Sequence, residues 1–239
     1  MNNRNLLIAS TSTVYGKPYL EYLKDETKDH FSSSQRVLFI PYAQPGGISY
    51  EAYTLVARKF FDTNGIHLEG IHEYKDVQKA VELCDGIFIG GGNTFVLLNK
   101  LYELDLVSLL LHKIKKGVPY LGTSAGSNIL GVSIGTTNDM PIIYPPSFKA
   151  IGAVPFNINP HYIDPVADSR HMGETRETRI REFHVFNDIP VVGLREGSYL
   201  KVKRNEIWLG GSLKARVFQK NIDPVELGHD DDLTFLIEP

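Results

Sequence analysis

With one cysteine, Cys84, in 239 residues, the chain can form no intrachain disulfide, and the paired-cysteine spacing of zinc sites cannot occur. Cys84 closes the amphipathic stretch that starts at Val77, so it reads as a small core residue. Long apolar runs are missing as well. After Met1-Asn2-Asn3-Arg4-Asn5 the first such run ends at Ala9, far short of a secretory signal or a membrane span, and the expectation is a cytoplasmic protein. Neither sign of charge dominates: 25 basic against 28 acidic residues leave a formal charge of −3. That balance supplies no long-range attraction to nucleic acid or to an anionic membrane. Internal repeats, low-complexity tracts and composition breaks are absent too. Residues 1–239 are therefore expected to form a single domain, whose 42% hydrophobic content suffices for a substantial core. There is no His-Glu-x-x-His, and the acidic tail His229-Asp230-Asp231-Asp232 reads as a solvated charge run, so no metal is expected.

What is present is alternation. Short apolar runs ("NLLIAS", "RVLFIPYA", "IHLEGIH", "GIFIGGG", "VPYLG") are separated by helical patterns at Gly16 to His30, Ser49 to Asn64, Asp76 to Cys84 and Asn93 to Lys116. The last of these is expected to be two helices interrupted near Asp105. Gly65 and Gly117 stand where helix C-caps belong. Such alternation predicts an α/β fold with a mostly parallel sheet covered by helices on both faces. Later, Tyr199 to Val202 and Glu206 to Leu209 read as a β-hairpin, and Arg216 to Gln219 as a further strand. In such sheets ligands gather at the carboxyl ends of the strands, where both "IGGGNT" and "LGTSAG" would fall.

Gly122-Thr123-Ser124-Ala125-Gly126 fits Gly-x-Ser-x-Gly, the pattern of a sharp strand-to-helix turn that projects a serine hydroxyl. The plain alternative is a glycine-rich turn whose serine caps the next helix. Gly90-Gly91-Gly92-Asn93-Thr94 could cradle a phosphate. It lacks the lysine and hydroxyl residue of a P-loop and the spacing of a dinucleotide fingerprint, so no cofactor is expected. The same amides could serve a transient oxyanion.

A serine nucleophile needs a base. Among the eight histidines, His161 in "FNINPHYID" is best placed, just beyond a short strand ending at Asn159-Pro160. His67, His72, His112 and His184 sit within strand or helix patterns, and His30, His171 and His229 near polar turns. Two carboxylates compete to orient the imidazole. Glu196 lies past a buried strand at a glycine turn in "VVGLREGS", and Asp139 in the loop-like "GTTNDMP".

"LIAST", "VLFIPYA", "IGGGNTFVLL", "GTSAGSN", "TTNDMPI", "INPHY", "GETRETRIRE" and "VVGLREGSYL" follow in an order that resembles peptidase E, the family of α-aspartyl dipeptidases. The resemblance spans most of the chain. It implies a three-layer α/β/α sandwich, flavodoxin-like and similar to class I glutamine amidotransferases, with a C-terminal β-hairpin. It also implies a serine dipeptidase working through an acyl-enzyme, with Ser124 as nucleophile, His161 as base and Glu196 as its orienting partner. Asp139 lies in an equally recognisable motif, so the acid is not settled by resemblance. The oxyanion is expected near the amides of Ala125 and of Gly91 or Gly92. Asn93, Asp139 and Arg176 are expected to bind a small peptide substrate, Asp-Xaa. Asp139 would receive the α-ammonium and Arg176 the β-carboxylate, with Arg179 as an alternative cation. A homodimer is left open. Two other readings compete: a cyanophycinase-like hydrolase of β-aspartyl bonds, and a noncatalytic small-molecule binding protein that retains the crevice.

Overall fold

The structure, a computed structural model, describes residues 3–165, 173–229 and 231–237; His171 and Asp230 lie outside them. The expected alternation appears as β1 (Asn5–Ala9), α1 (Lys24–His30), β2 (Val37–Ile40), α2 (Tyr50–Thr63), β3 (Leu68–Gly70), α3 (Val77–Leu83) and β4 (Gly86–Ile89). It continues through α4 (Thr94–Glu103), α5 (Leu106–Lys115), β5 (Tyr120–Thr123) and the one-turn α6 (Ala125–Asn128). Asp105, at φ 56°, makes the break between α4 and α5. The run read as one helix from Gly16 is helical only from Glu21, because Gly16 (φ 75°) and Leu20 (φ 55°) turn the chain left-handed before it. Among the described residues no helix is long and apolar enough to cross a membrane.

Seven strands form the central sheet in the order β3-β2-β4-β5-β1-β8-β9, where β8 is Ser198–Lys203 and β9 is Glu206–Gly211. The first five are mutually parallel, and the β8–β9 hairpin adds antiparallel to β1. Successive side chains of a strand face opposite sides, which divides the core in two. Leu6, Ile8, Leu38, Ile40, Ile87 and Ile89 pack with α3, α4 and α5. Leu7, Val37, Phe39, Phe88 and Leu121 pack with α2 and the end of α1. Cys84 is buried in the first of these clusters, its Sγ 3.2 Å from Val81 O.

A second sheet, not foreseen as a separate unit, has the order β11-β10-β7-β6: β6 (Asn157–Pro160), β7 (Val191–Leu194), β10 (Ala215–Phe218) and β11 (Val225–Leu227). The strand expected around residue 216 therefore pairs with β7 and not with the hairpin. Between β6 and β7 runs α7 (Arg176–Phe186), capped by Thr175. Ile158, Val192, Leu194 and Val217 join the larger core cluster, so the second sheet packs against the first near the carboxyl ends of β1 and β5.

Candidate active site

β5 delivers Ser124 into an elbow with φ 52° and ψ −112°, a conformation that costs about 1–3 kcal/mol and persists only where the surroundings impose it. The glycines explain how. A Cβ at Gly126 would lie 2.1 Å from Ile89 O and one at Gly122 2.5 Å from Gly126 O, so any side chain there would push helix and strand apart. Ser124 N–H donates to Ala9 O at 3.2 Å, and Tyr120 Oη donates to Gly126 O at 2.7 Å. Ser124 precedes α6 as an N-cap residue would, yet its side chain makes no capping bond. Its Oγ instead lies 3.0 Å from His161 Nε2.

His161 follows β6 with φ 54°, held on three sides. Asn138 Nδ2 donates to Pro160 O at 2.7 Å, and Asn128, on α6 just past the elbow, donates to Ile158 O at 2.7 Å. The His161 N–H donates to Ser10 Oγ at 2.9 Å, and Ser10 Oγ in turn donates to Leu194 O at 2.8 Å. Two residues past Leu194, Glu196 places Oε1 2.7 Å from His161 Nδ1. An ionised carboxylate only accepts, so it fixes the proton on Nδ1 and leaves Nε2 to accept from the serine. Neighbouring Arg195 binds Asp164 through two nitrogens at 2.7 Å, and Glu226 at 2.8 and 2.9 Å. These bonds hold the Asp164 carboxyl below its usual pKa.

The glycine turn after β4 faces the elbow. Gly92, at φ 142°, sits where a Cβ would meet Ala43 O at 2.3 Å. The Gly91 N–H, expected as one of two alternative oxyanion donors, already donates to Tyr53 Oη at 3.0 Å. Gly92 and Ala125 are the two expected donors left. Asn93 caps α4: its Oδ1 accepts from Phe95 and Val96 N–H, and its Nδ2 donates to Met140 O. Asp139 Oδ2 accepts from Thr94 N–H at 2.7 Å and from Thr137 Oγ1 at 3.1 Å, so Asp139 lies at the N-terminus of α4, while Glu196 contacts the histidine. Arg176 begins α7, half-buried. Burial pulls its pKa down, Arg179 adds to that, and Asp139 opposes it. No salt bridge among the described residues engages it, whereas Glu177 pairs with Arg181 and Arg216.

A half-buried elbow serine, a histidine and a carboxylate in hydrogen-bonded sequence can carry out nucleophilic acyl transfer. Residues 6–209 match the family model described as Peptidase family S51. The chain is a member of peptidase family S51. It is 44% identical over 238 residues to a Drosophila melanogaster protein named "Probable alpha-aspartyl dipeptidase", with 98% of each chain covered. It is likewise 44% identical over 234 residues to Peptidase E of Streptomyces coelicolor, covering 98% of this chain and 95% of that one. The crystal structure of a peptidase from an acI-B1 Actinobacterium shares the fold: TM-score 0.73 at 15% identity, over 97% of this chain and 96% of that one. The S51 chain is thus a serine-type dipeptidase on an α/β fold with a mostly parallel central sheet.

Two residues of this S51 site escaped the sequence reading. Ser10 carried a signal, a hydroxyl directly after a buried strand whose carboxyl end meets the crevice. Tyr53 carried none, since its hydroxyl reaches Gly91 only through the packing of α2 on the sheet.

Proposed function

We propose that this S51 peptidase releases N-terminal aspartate from dipeptides through an ester on Ser124. The observation that carries the reading is the continuous line Ser124 Oγ, His161 Nε2 at 3.0 Å, and His161 Nδ1 to Glu196 Oε1 at 2.7 Å. Ser124 Oγ attacks the scissile carbonyl as His161 takes its proton. Glu196 stabilises the imidazolium that forms. The amides of Gly92 and Ala125 receive the oxyanion. His161 then gives its proton to the departing amine, the C–N bond breaks, and a water activated by the same imidazole hydrolyses the ester.

Aspartate preference follows from a carboxylate and a cation on one side of the crevice. The open Asp139 oxygen takes the α-ammonium, and Arg176 takes the β-carboxylate as a bidentate partner. The name of the Drosophila relative agrees with this reading. The test is hydrolysis of Asp-Leu against β-Asp-Arg, together with labelling by a fluorophosphonate. Asp-Leu turnover that is abolished in Ser124→Ala, with labelling lost in parallel, is the expected result. Faster cleavage of β-Asp-Arg would favour the cyanophycinase-like alternative, and more than about a tenth of wild-type kcat in Ser124→Ala would remove serine catalysis.

A further inference from the structure

On the side of Ser124 away from Asp139, a cavity of about 340 Å³ opens between the segment after β1 and α2. We infer that it receives the leaving residue of the substrate and selects an uncharged, apolar side chain there; the inference rests on the aspartyl dipeptidase reading above. The two sides of the crevice are defined by the two faces of the sheet. Asp139 sits at the N-terminus of α4, which packs on one face with Leu6 and Ile8. The cavity is walled by Tyr53 and Val56 of α2, the helix packed on the opposite face. Ser124, His161 and Gly92 also line it. A peptide whose carbonyl lies at Ser124 must send its two residues in opposite directions. The aspartyl residue goes toward Asp139 and Arg176, so the leaving residue enters the cavity.

The lining sets the chemistry. Tyr19, Ile48, Tyr53 and Val56 supply its apolar walls, and among the described residues no Asp, Glu, Lys or Arg takes part. Three of the polar side chains that border it are already hydrogen-bonded. Gln44 Nε2 donates to Gly91 O at 2.8 Å, Tyr53 Oη accepts from Gly91 N–H, and Thr11 Oγ1 donates to Thr13 O at 3.1 Å. A charged leaving side chain would shed water here without gaining an opposite charge. A leucine or phenylalanine side chain loses apolar surface to the walls and gains.

The experiment is kcat/KM for Asp-Gly, Asp-Leu, Asp-Phe, Asp-Lys and Asp-Glu, on the wild-type enzyme and on Val56→Asp. Val56 is 42% exposed, so a carboxylate there can be hydrated in the folded chain. Wild type should favour Leu and Phe over Gly by about tenfold or more, and over Lys and Glu by at least as much, the scale on which apolar pockets discriminate. Val56→Asp should raise the Asp-Lys to Asp-Leu ratio about tenfold. If that variant fails to fold, Val56→Ala should lower the Leu-to-Gly ratio about threefold. A wild-type profile flat across the five dipeptides overturns the leaving-residue site while leaving the aspartyl reading intact, and so does an unmoved ratio in the variant. Absence of turnover on all five, Asp-Gly included, overturns both.

Discussion

Ser10 shows how much of the Ser124–His161–Glu196 arrangement can rest on a residue outside that line. Its hydroxyl spans the His161 N–H and Leu194 O, and the preceding carbonyl, Ala9 O, accepts from Ser124 N–H. One dipeptide at the end of β1 thus touches the segments bearing Ser124, His161 and Glu196. Ser10→Ala leaves the His161 amide without its partner, while Leu194 O keeps the bond from Tyr162 N–H. The expected outcome in steady-state kinetics is a kcat lower by about 10- to 100-fold, because small displacements of a catalytic group cost that much, with KM moving less than about twofold. A wild-type kcat would show that His161 keeps its place without the bridge. On the proposed reading, Arg176 serves substrate recognition instead. Arg176→Ala should lower kcat/KM for Asp-Leu far more than for Asn-Leu, erasing a preference on the order of 2–5 kcal/mol. If the Asp-over-Asn ratio stays as in wild type, and falls in Arg179→Ala, the clamp is Arg179. The hydrogen-bonded meeting of Ser124, His161 and Glu196 was legible in the sequence because each follows a buried strand at a glycine or proline, a local signal. The competition of Glu196 with Asp139 could not be decided that way. It is a matter of which loop β6 passes, and that depends on pairings between residues far apart in the chain.

Among the elements, the parallel half of the fold was legible because its strands are continuous apolar runs and its longer helices carry a clear apolar stripe. The second sheet was not. β6 alternates Asn157 and Asn159 with apolar residues, and both asparagines are buried, spending their side chains on residues 133, 136 and 138. Its partner β7 is more than 30 residues away, and β11 is a short, partly exposed edge. What ties these short strands together is charge as much as apolar burial. Arg195, with its side chain only 14% exposed, joins the segment after β6 to β11. Arg216 links β10 to Glu177 on α7. Arg195→Met should therefore cost about 1–3 kcal/mol, less than a fully buried pair would because Asp164 and Glu226 are partly hydrated. Calorimetry should show a Tm lower by several degrees. Since Glu196 is the next residue, kcat should fall in the same variant. A lowered Tm with kcat unchanged would mean that the Glu196 turn is held by the backbone alone.

For the molecule as a whole, acid should act through His30. It was read as lying near a polar turn, but it is buried at the end of α1, with Nε2–H donating to Tyr120 O at 3.1 Å and Nδ1 unpaired. Burial lowers its pKa to about 4. Because the folded pKa lies below the unfolded value of about 6.5, the unfolded chain binds the extra proton between these values. Stability is then insensitive to this residue above pH 6.5 and declines as pH falls from 6.5 toward 4. Linkage puts the loss at about 2 kcal/mol by pH 5. Urea unfolding at pH 7, 6 and 5 should show this slope in the wild type and a flatter one in His30→Gln; equal slopes would place the acid sensitivity elsewhere. At the same scale Cys84 has a practical consequence. Buried at 2% exposure, with its thiol pushed up to about 11 by desolvation, it should stay silent toward maleimides in the native protein. The wild-type background is therefore already blank for site-specific fluorophore attachment, and a cysteine engineered at a single exposed position would carry the only dye, without first removing a native thiol.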